Sequence, residues 1–337
     1  MRLSVVVPVH NEVEVLPHFL ERLLPVLEGL DGDWEIIFVE DSSTDGTWEM
    51  LREMTAGDER LRALRLSRSF GHQGALTAGM WAAEGDRVVT MDGDLQHPPE
   101  TVPDLLARID EGFDVVYAVR SPIDSESRFT VLRAHAFYWT LNRLARLDLP
   151  HGVADFRCMS RPVVNALVSM PERSRFLRGM TRWVGFRQTV VEYDRAPRAA
   201  GQSKYTLGPM FRLAIDAVIS FSTVPLRLAS ILGLVVSLIG VAYGALTAIQ
   251  RLTGDVAVAG YTSLLVAVLI LGGVQLACLG IIGQYLGRVY DESKGRPLFL
   301  VWEDTRQSRV DEPALMAAGV RVGEQPRRHG VRGPSSS

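Results

Sequence analysis

The chain has 337 residues, of which 47% are hydrophobic and 22% charged, and its formal net charge is −3. That length suits one large domain or two modest ones, and the slightly negative charge excludes a general nucleic-acid binder. The two cysteines, Cys158 and Cys278, lie far apart in the chain and read as packing residues, not as a disulfide or a metal site.

Leu3–Val7 is a fully apolar strand, ended by Pro8. Polar residues follow the short apolar run at once, so no signal peptide is read at the start. Apolar residues recur at helical spacing across Glu14–Leu30 (Val15, Leu16, Phe19, Leu20, Leu23, Leu24 and Leu27). Ile36–Val39 predicts a second strand that runs into Glu40 and Asp41. Asp45, Gly46 and Thr47 open the next helix, which reaches about Ala56, and Leu61–Leu66 is a third strand. The stretch GHQGALTAGMWAAEG is a helix of small residues ending at Gly85. RVVTMDGD is a fourth strand, Pro103–Glu111 a helix and DVVYAVR a fifth strand.

Apolar strands alternating with helices predict an α/β domain with a mostly parallel sheet covered on both faces. Such sheets bind ligands at the carboxyl ends of their strands. Those ends carry His10, Asn11 and Glu12, then Glu40 and Asp41, then Arg68, Asp92-Gly93-Asp94 and Arg120. The loop after the first strand, PVHNE, has no glycine, so neither a dinucleotide fingerprint nor a P-loop explains the domain.

Asp92 and Asp94 put two carboxylates at one strand end, with Gly93 allowing close approach. Hard divalent cations want such oxygen ligands, and Mg²⁺ takes one or two carboxylates plus substrate phosphates. Gln96 adds an amide oxygen. The same spacing also occurs in plain acidic surface turns. Farther on, VADFRCMSR supplies Asp155 and Arg157, expected beyond the sheet. Arg195, Arg198, Ser203 and Lys204 form a basic set, either flanking charge for a membrane segment or a grip on a phosphate.

The mean hydropathy is slightly positive, and its source is local. Leu228–Gln250 and Val256–Gly287 contain no Asp, Glu, Lys or Arg, and each is long enough to cross a bilayer. Arg212 and Arg227 precede the first stretch; Arg288, Lys294 and Arg296 follow the second. The positive-inside bias places both flanks, and the catalytic domain, in the cytoplasm. Before the first span, Phe211, Ile215, Val218 and Ile219 line one helical face, as in an interfacial helix or a soluble amphipathic one. The predicted layout is a catalytic domain at 1–205, an interfacial helix at 206–227 and spans at 228–250 and 260–287. A cytoplasmic segment at 288–303 and a disordered tail at 304–337 follow.

The motifs VVPVHNE, VEDSSTDGT, RSFGHQGALTAG, MDGDLQHPPE, DFRCMSR and AGQSKY occur in that order across about residues 3–290. On them the chain resembles membrane-attached polyprenyl-phosphate glycosyltransferases of family 2. These include dolichol-phosphate mannose synthases and bacterial undecaprenyl-phosphate glucosyl- and aminoarabinosyl-transferases. The resemblance implies a GT-A, Rossmann-like catalytic domain ahead of a two-helix transmembrane hairpin in the cytoplasmic membrane. It implies inverting, metal-dependent transfer of a sugar, glucose favoured, from a UDP-sugar to polyprenyl phosphate for cell-envelope glycan modification. It further implies that Pro8, Asn11, Glu12, Asp41, Arg68 and Asp92 line the nucleotide-sugar pocket. Asp92, Asp94 and Gln96 would hold Mg²⁺ or Mn²⁺, and Asp94 and Asp155 would be catalytic. Arg120, Arg133, Arg198, Ser203 and Lys204 would grip phosphates, that of the lipid included. His97 would shape its loop with Pro98 and Pro99, and relatives suggest a homo-oligomer. The chain departs from the pattern at Ser42, where many relatives have glycine, and at Ala134, where some have serine. A GDP-mannose or UDP-GalNAc donor and a non-catalytic scaffold remain the alternatives.

Overall fold

The computed structural model describes residues 2–120, 153–193, 224–253 and 261–306. By contacts within the chain it divides into two units. The first holds residues 1–124, 150–202 and 295–337; the second holds 125–149 and 203–294.

The first unit is built on a sheet in the order β7-β5-β6-β4-β1-β2-β3-β8. Its strands are β1 (Leu3–Val9), β2 (Trp34–Glu40), β3 (Leu61–Leu66), β4 (Arg87–Thr90), β5 (Val115–Arg120), β6 (Val153–Ser160), β7 (Gln188–Tyr193) and β8 (Val301–Asp304). The run β4-β1-β2-β3 is parallel throughout. β1 and β2 are buried at every position, as a strand covered on both faces must be. Helices α1 (Leu16–Glu28), α2 (Thr47–Gly57), α3 (His72–Ala82) and α4 (Val102–Asp110) follow the first four strands. α5 (Arg161–Ser169) and α6 (Leu177–Trp183) follow β6. This is the GT-A, Rossmann-like arrangement.

β1 does not stop at Pro8 but runs on to Val9, paired with Glu40. The reason lies in the ladder. Val6 carbonyl oxygen accepts from Met91, on the β4 side, and Val9 oxygen accepts from Asp41, on the β2 side. By the alternation of a strand, Pro8 faces the β4 side. Pairing with β4 has already ended there, at Val6 and Thr90. The missing N–H of proline therefore breaks no bond.

The small residues of α3 also have a packing reason. A Cβ built on Gly79 would lie 2.2 Å from Val6 Cγ1 and 3.0 Å from Val39 Cγ2. Only glycine lets the helix lie this close to β1 and β2.

Two placements correct the sequence reading. Asp155 and Arg157 lie within the sheet, on β6, which runs antiparallel between β4 and β5. Residues 307–337 of the expected tail lie outside the described residues, but the segment just before them, which spans the boundary expected at 303/304, is ordered. It forms β8, antiparallel to β3, with Asp304 buried at its end.

In the second unit, α7 (Val224–Thr253) and α8 (Tyr261–Ser293) are each longer than the predicted spans. Val224–Leu246 and Ile270–Ser293 are long and apolar enough to cross a membrane. Leu234, Leu238, Leu276 and Leu279 are exposed, as are most of their apolar neighbours. A soluble core helix would bury such residues. The helices touch where Cys278 Sγ lies 3.7 Å from Ala229 oxygen. The interfacial helix expected at 206–227 falls outside the described residues, apart from Val224–Arg227 at the start of α7.

Candidate active site

The carboxyl ends of the parallel strands form one edge. β6 is antiparallel, so its N-terminal end reaches the same edge. Thr90 pairs with Arg157, and Thr90 Oγ1 donates to Asp155 oxygen at 2.7 Å. That register carries the Asp155 carboxylate up beside Asp92, which precedes it by some 60 residues in the chain.

The loops at this edge hold unusual backbone. Asn11, Ser42 and Leu95 are the non-glycine residues with positive φ among those described, at 55°, 61° and 62°. They follow β1, β2 and β4 respectively. Left-handed backbone is costly for such residues, and strain of this kind gathers at functional sites. Asn11 offsets part of it: its Oδ1 accepts from Thr44 N at 2.8 Å, and its own N–H donates to Ser43 Oγ at 3.0 Å. At Ser42 the backbone adopts a conformation that glycine reaches without cost.

Asp41 is fully engaged. Its oxygens accept from Ser69 Oγ at 2.8 Å, Phe70 N at 2.7 Å and Gly71 N at 2.9 Å. The carboxylate thus fixes the loop between β3 and α3. Arg68, in that loop, is exposed and lies over the Phe70 ring at 4.2 Å. Asp94 accepts from the Gln96 backbone N–H at 3.0 Å and from its side-chain amide nitrogen. Gln96 therefore turns donors, not its amide oxygen, toward Asp94. His97 is buried against Phe156, ring centroids 5.1 Å apart. Its Nδ1 accepts from Asp92 N at 3.0 Å, which requires the proton on Nε2, and burial lowers its pKa. A neutral imidazole thus pins the loop that carries Asp92 and Asp94.

Asp155 is the hub of a charged cluster. Its Oδ1 meets Arg157 Nη2, and its Oδ2 lies 3.0 Å from Arg178 Nη2 and 3.4 Å from Gln73 Nε2. Arg157 is buried and also donates to Thr181 Oγ1 at 2.7 Å. Gln73 Oε1 accepts from Leu177 N at 2.9 Å, tying the start of α3 to the start of α6. His72 Nε2 sits 3.5 Å from both Asp92 Oδ1 and Asp155 Oδ2. Sequence reading missed His72, Gln73 and Arg178. His72 and Gln73 carried one legible signal: they open the helix directly after a strand end.

Of the residues picked from the sequence, Pro8, Asn11, Glu12, Asp41, Arg68, Asp92, Asp94, Gln96 and Asp155 meet at this edge. Arg120 ends β5 at the same edge, half-buried, with its Nε lacking a hydrogen-bond partner. Arg133, Arg198, Ser203 and Lys204 lie outside the described residues.

Residues 4–168 match the family described as Glycosyl transferase family 2, and residues 224–289 match GtrB C-terminal hairpin. An uncharacterized glycosyltransferase of Synechocystis is 44% identical over 89% of this chain and 95% of its own length. A bactoprenol glucosyl transferase of Shigella phage SfV is 40% identical over 89% of this chain and 98% of its own. The chain belongs to glycosyl transferase family 2. Among solved structures, glucosyl-3-phosphoglycerate synthase from Mycobacterium tuberculosis, with Mn²⁺, UDP-glucose and phosphoglyceric acid, aligns with a TM-score of 0.45 and 22% identity. That match covers 65% of this chain and 79% of the other.

The electrostatics of this glycosyltransferase divide its carboxylates into two kinds. Burial works to raise the pKa of Asp155, but the His72 hydrogen bond and the charges of Arg178 and Arg157 win and hold it well below the ordinary range. Such a carboxylate is a poor base. Glu12 goes the other way: burial first, then the charges of Asp94 and Asp92, push it up to about 7. Burial also raises Asp92. His72 would be lowered by burial, but Asp155 and Asp92 hold it above its usual value. Glu12 Oε2 and Asp92 Oδ1 are buried with no hydrogen-bond partner. Crowded carboxylate oxygens, that of Glu12 without a partner and that of Asp92 only 3.5 Å from His72 Nε2, suit a hard cation. Among the described residues, no three histidine, cysteine or carboxylate side chains are gathered as a metal site.

Proposed function

We propose that the protein transfers glucose from UDP-glucose to polyprenyl phosphate, giving a polyprenyl-phosphate-linked glucose at the cytoplasmic face of a membrane. The observation that carries this reading is a pairing within one chain. A strand-end site of crowded carboxylates, with buried Glu12 and Asp92 oxygens that make no hydrogen bond, is followed in sequence by two long helices with exposed apolar faces. A bactoprenol glucosyl transferase that is 40% identical over 98% of its own length supports the choice of sugar and acceptor.

The acceptor phosphate oxygen attacks the anomeric carbon as the bond to the diphosphate breaks, and the electron pair leaves with UDP. A phosphate monoester has a second pKa of about 6 and is mostly dianionic at neutral pH, so no strong general base is needed. This agrees with the state of Asp155, which two arginines hold ionised. Its role is to position Arg178, His72 and Gln73 around the reacting groups. In-line attack inverts the anomeric centre, so an α-linked donor gives a β-linked product. Asp92 and Asp94, with Gln96 beside them, would hold Mg²⁺ or Mn²⁺, which when bound offsets charge on the diphosphate leaving group. Pro8, Asn11, Glu12 and Arg68 line the donor side. Arg120, Arg133, Arg198, Ser203 and Lys204 receive the phosphates, that of the lipid among them. α7 and α8 cross the bilayer, and the protein works as a homo-oligomer.

The test is a donor panel in detergent with Mn²⁺ and polyprenyl phosphate, reading nucleoside diphosphate release. UDP-glucose should be the best donor. Preference for GDP-mannose or UDP-GalNAc would overturn the sugar assignment. Full activity in EDTA, or in Asp94→Ala, would overturn the metal role.

A further inference from the structure

The segment that follows α8 in the chain makes more contacts than covering a sheet edge requires. β8 pairs with β3, with Asp304 opposite Leu64 and Val301 opposite Leu66. Its two ends are locked by different physics. At the far end, Asp304 takes Arg62 in a double contact, Nε to Oδ1 at 3.1 Å and Nη2 to Oδ2 at 2.6 Å, with both side chains over nine-tenths buried. Arg62 also donates to Ala82 oxygen at the end of α3, at 3.1 Å. Thr305 and Ala63 exchange hydrogen bonds at 2.9 and 3.0 Å, and Arg306 Nη1 lies 2.8 Å from the buried Glu35. At the near end, Phe299 is fully buried, edge-on to Trp81 with centroids 5.9 Å apart.

The near end is also where the strap reaches the active-site loop. Leu300 oxygen accepts from Ser67 N at 2.9 Å. Ser67 begins the loop whose Ser69, Phe70 and Gly71 donors hold Asp41, and which ends at His72. Leu298 lines a cleft of about 340 Å³ together with Phe70, Gly71, His72 and Gln73. An edge cover alone needs neither the buried Phe299 nor contact with this loop.

We infer that residues 298–306 are a positioning strap. By seating Phe299 and the Arg62–Asp304 pair, the strap sets the conformation of loop 67–71, and through it the site residues Asp41 and His72. Its effect on donor use rests on the function proposed above, whereas its effect on the loop does not.

The test is hydrogen exchange on full-length protein in detergent, with Phe299→Ala, the milder Phe299→Leu, Asp304→Asn and the exposed control Trp302→Ala. Unseating the strap should speed exchange at Ser67, Phe70 and Gly71 about tenfold or more, with amides in β1 and β2 unchanged. Trp302→Ala should leave loop exchange at the wild-type rate. With UDP-glucose, the strap variants should raise the donor KM several-fold with a smaller change in kcat. Faster exchange at Thr305 with loop 67–71 unaltered would overturn the inference and leave the strap an edge cover. If Phe299→Ala does not fold, the same comparison is made with Phe299→Leu and Asp304→Asn. If wild type transfers no sugar, the function falls, and loop exchange still decides whether the strap positions the loop.

Discussion

Replacing Asp155 by asparagine tests the charge balance at the centre of the site. Arg157 is 2% exposed and stays ionised in the variant with no carboxylate opposite it. Removing one partner of a buried ion pair costs about 3–5 kcal/mol. Arg157 keeps its bonds to Thr181 Oγ1 and Leu177 oxygen, and Arg178 is one-third exposed, so the low end, about 3 kcal/mol, applies. For a domain of this size each kcal/mol moves Tm by ~2–4 °C, giving a fall of about 6–12 °C. Calorimetry or near-UV circular dichroism on full-length protein in detergent reads it. The pH dependence has a definite sign. The folded pKa of Asp155 is depressed, so its stabilisation is present above the unfolded value of about 3.9 and is lost as pH falls through the folded value. The gap between wild type and variant should therefore persist down to pH 5, and be larger there than at pH 8, because Asp155 also holds the His72 pKa up and that stabilisation fades as pH rises through it. A variant as stable as wild type, or a gap that closes between pH 7 and 5, would refute the reasoning.

Glu12→Gln should act in the opposite sense. The folded carboxyl sits at about 7 against an ordinary 4.5, so its favourable share is present below 4.5 and lost as pH rises through 7. In EDTA the variant should match wild type near pH 4 and be more stable at pH 8, by at most ~3 kcal/mol; equal melting at both pH values would count against it. At Ser42, with φ of 61°, glycine should be tolerated, because relief of the left-handed backbone, ~1 kcal/mol, offsets the flexibility of glycine. Ser42→Val should destabilise by ~1–2 kcal/mol in denaturant titrations. Gly79→Ala should cost ~1–3 kcal/mol, since its Cβ would press on Val6 at 2.2 Å; an unchanged unfolding midpoint would show that α3 shifts freely on the sheet.

The first half of the fold was legible because its strands are largely apolar runs alternating with helices, and such a pattern folds into a parallel sheet even though β4 crosses back to pair with β1. Each strand end could be read off as a site position, and Glu12, Asp41, Asp92 and Asp94 do meet there. The antiparallel part was not legible. Nothing local in Val153–Ser160 says that Arg157 pairs with Thr90, and without that register Asp155 could not be set beside Asp92. His72 was hidden by its surroundings, a run of small residues that reads as packing. β8 has only four residues, too few for a periodic signal, and its partner strand lies some 240 residues earlier in the chain. Charge states were also out of reach. Asp155 and Glu12 are both acidic residues in the sequence, and only their neighbours make one a fixed anion and the other a near-neutral acid.

The most direct measurement is partition of label after incubating full-length protein in detergent with Mn²⁺, sugar-labelled UDP-glucose and polyprenyl phosphate. Transfer to the lipid predicts label in the organic phase, matched by an equal amount of released UDP and dependent on added polyprenyl phosphate. Released UDP with all label left in water, or no turnover with any polyprenyl phosphate, would contradict it.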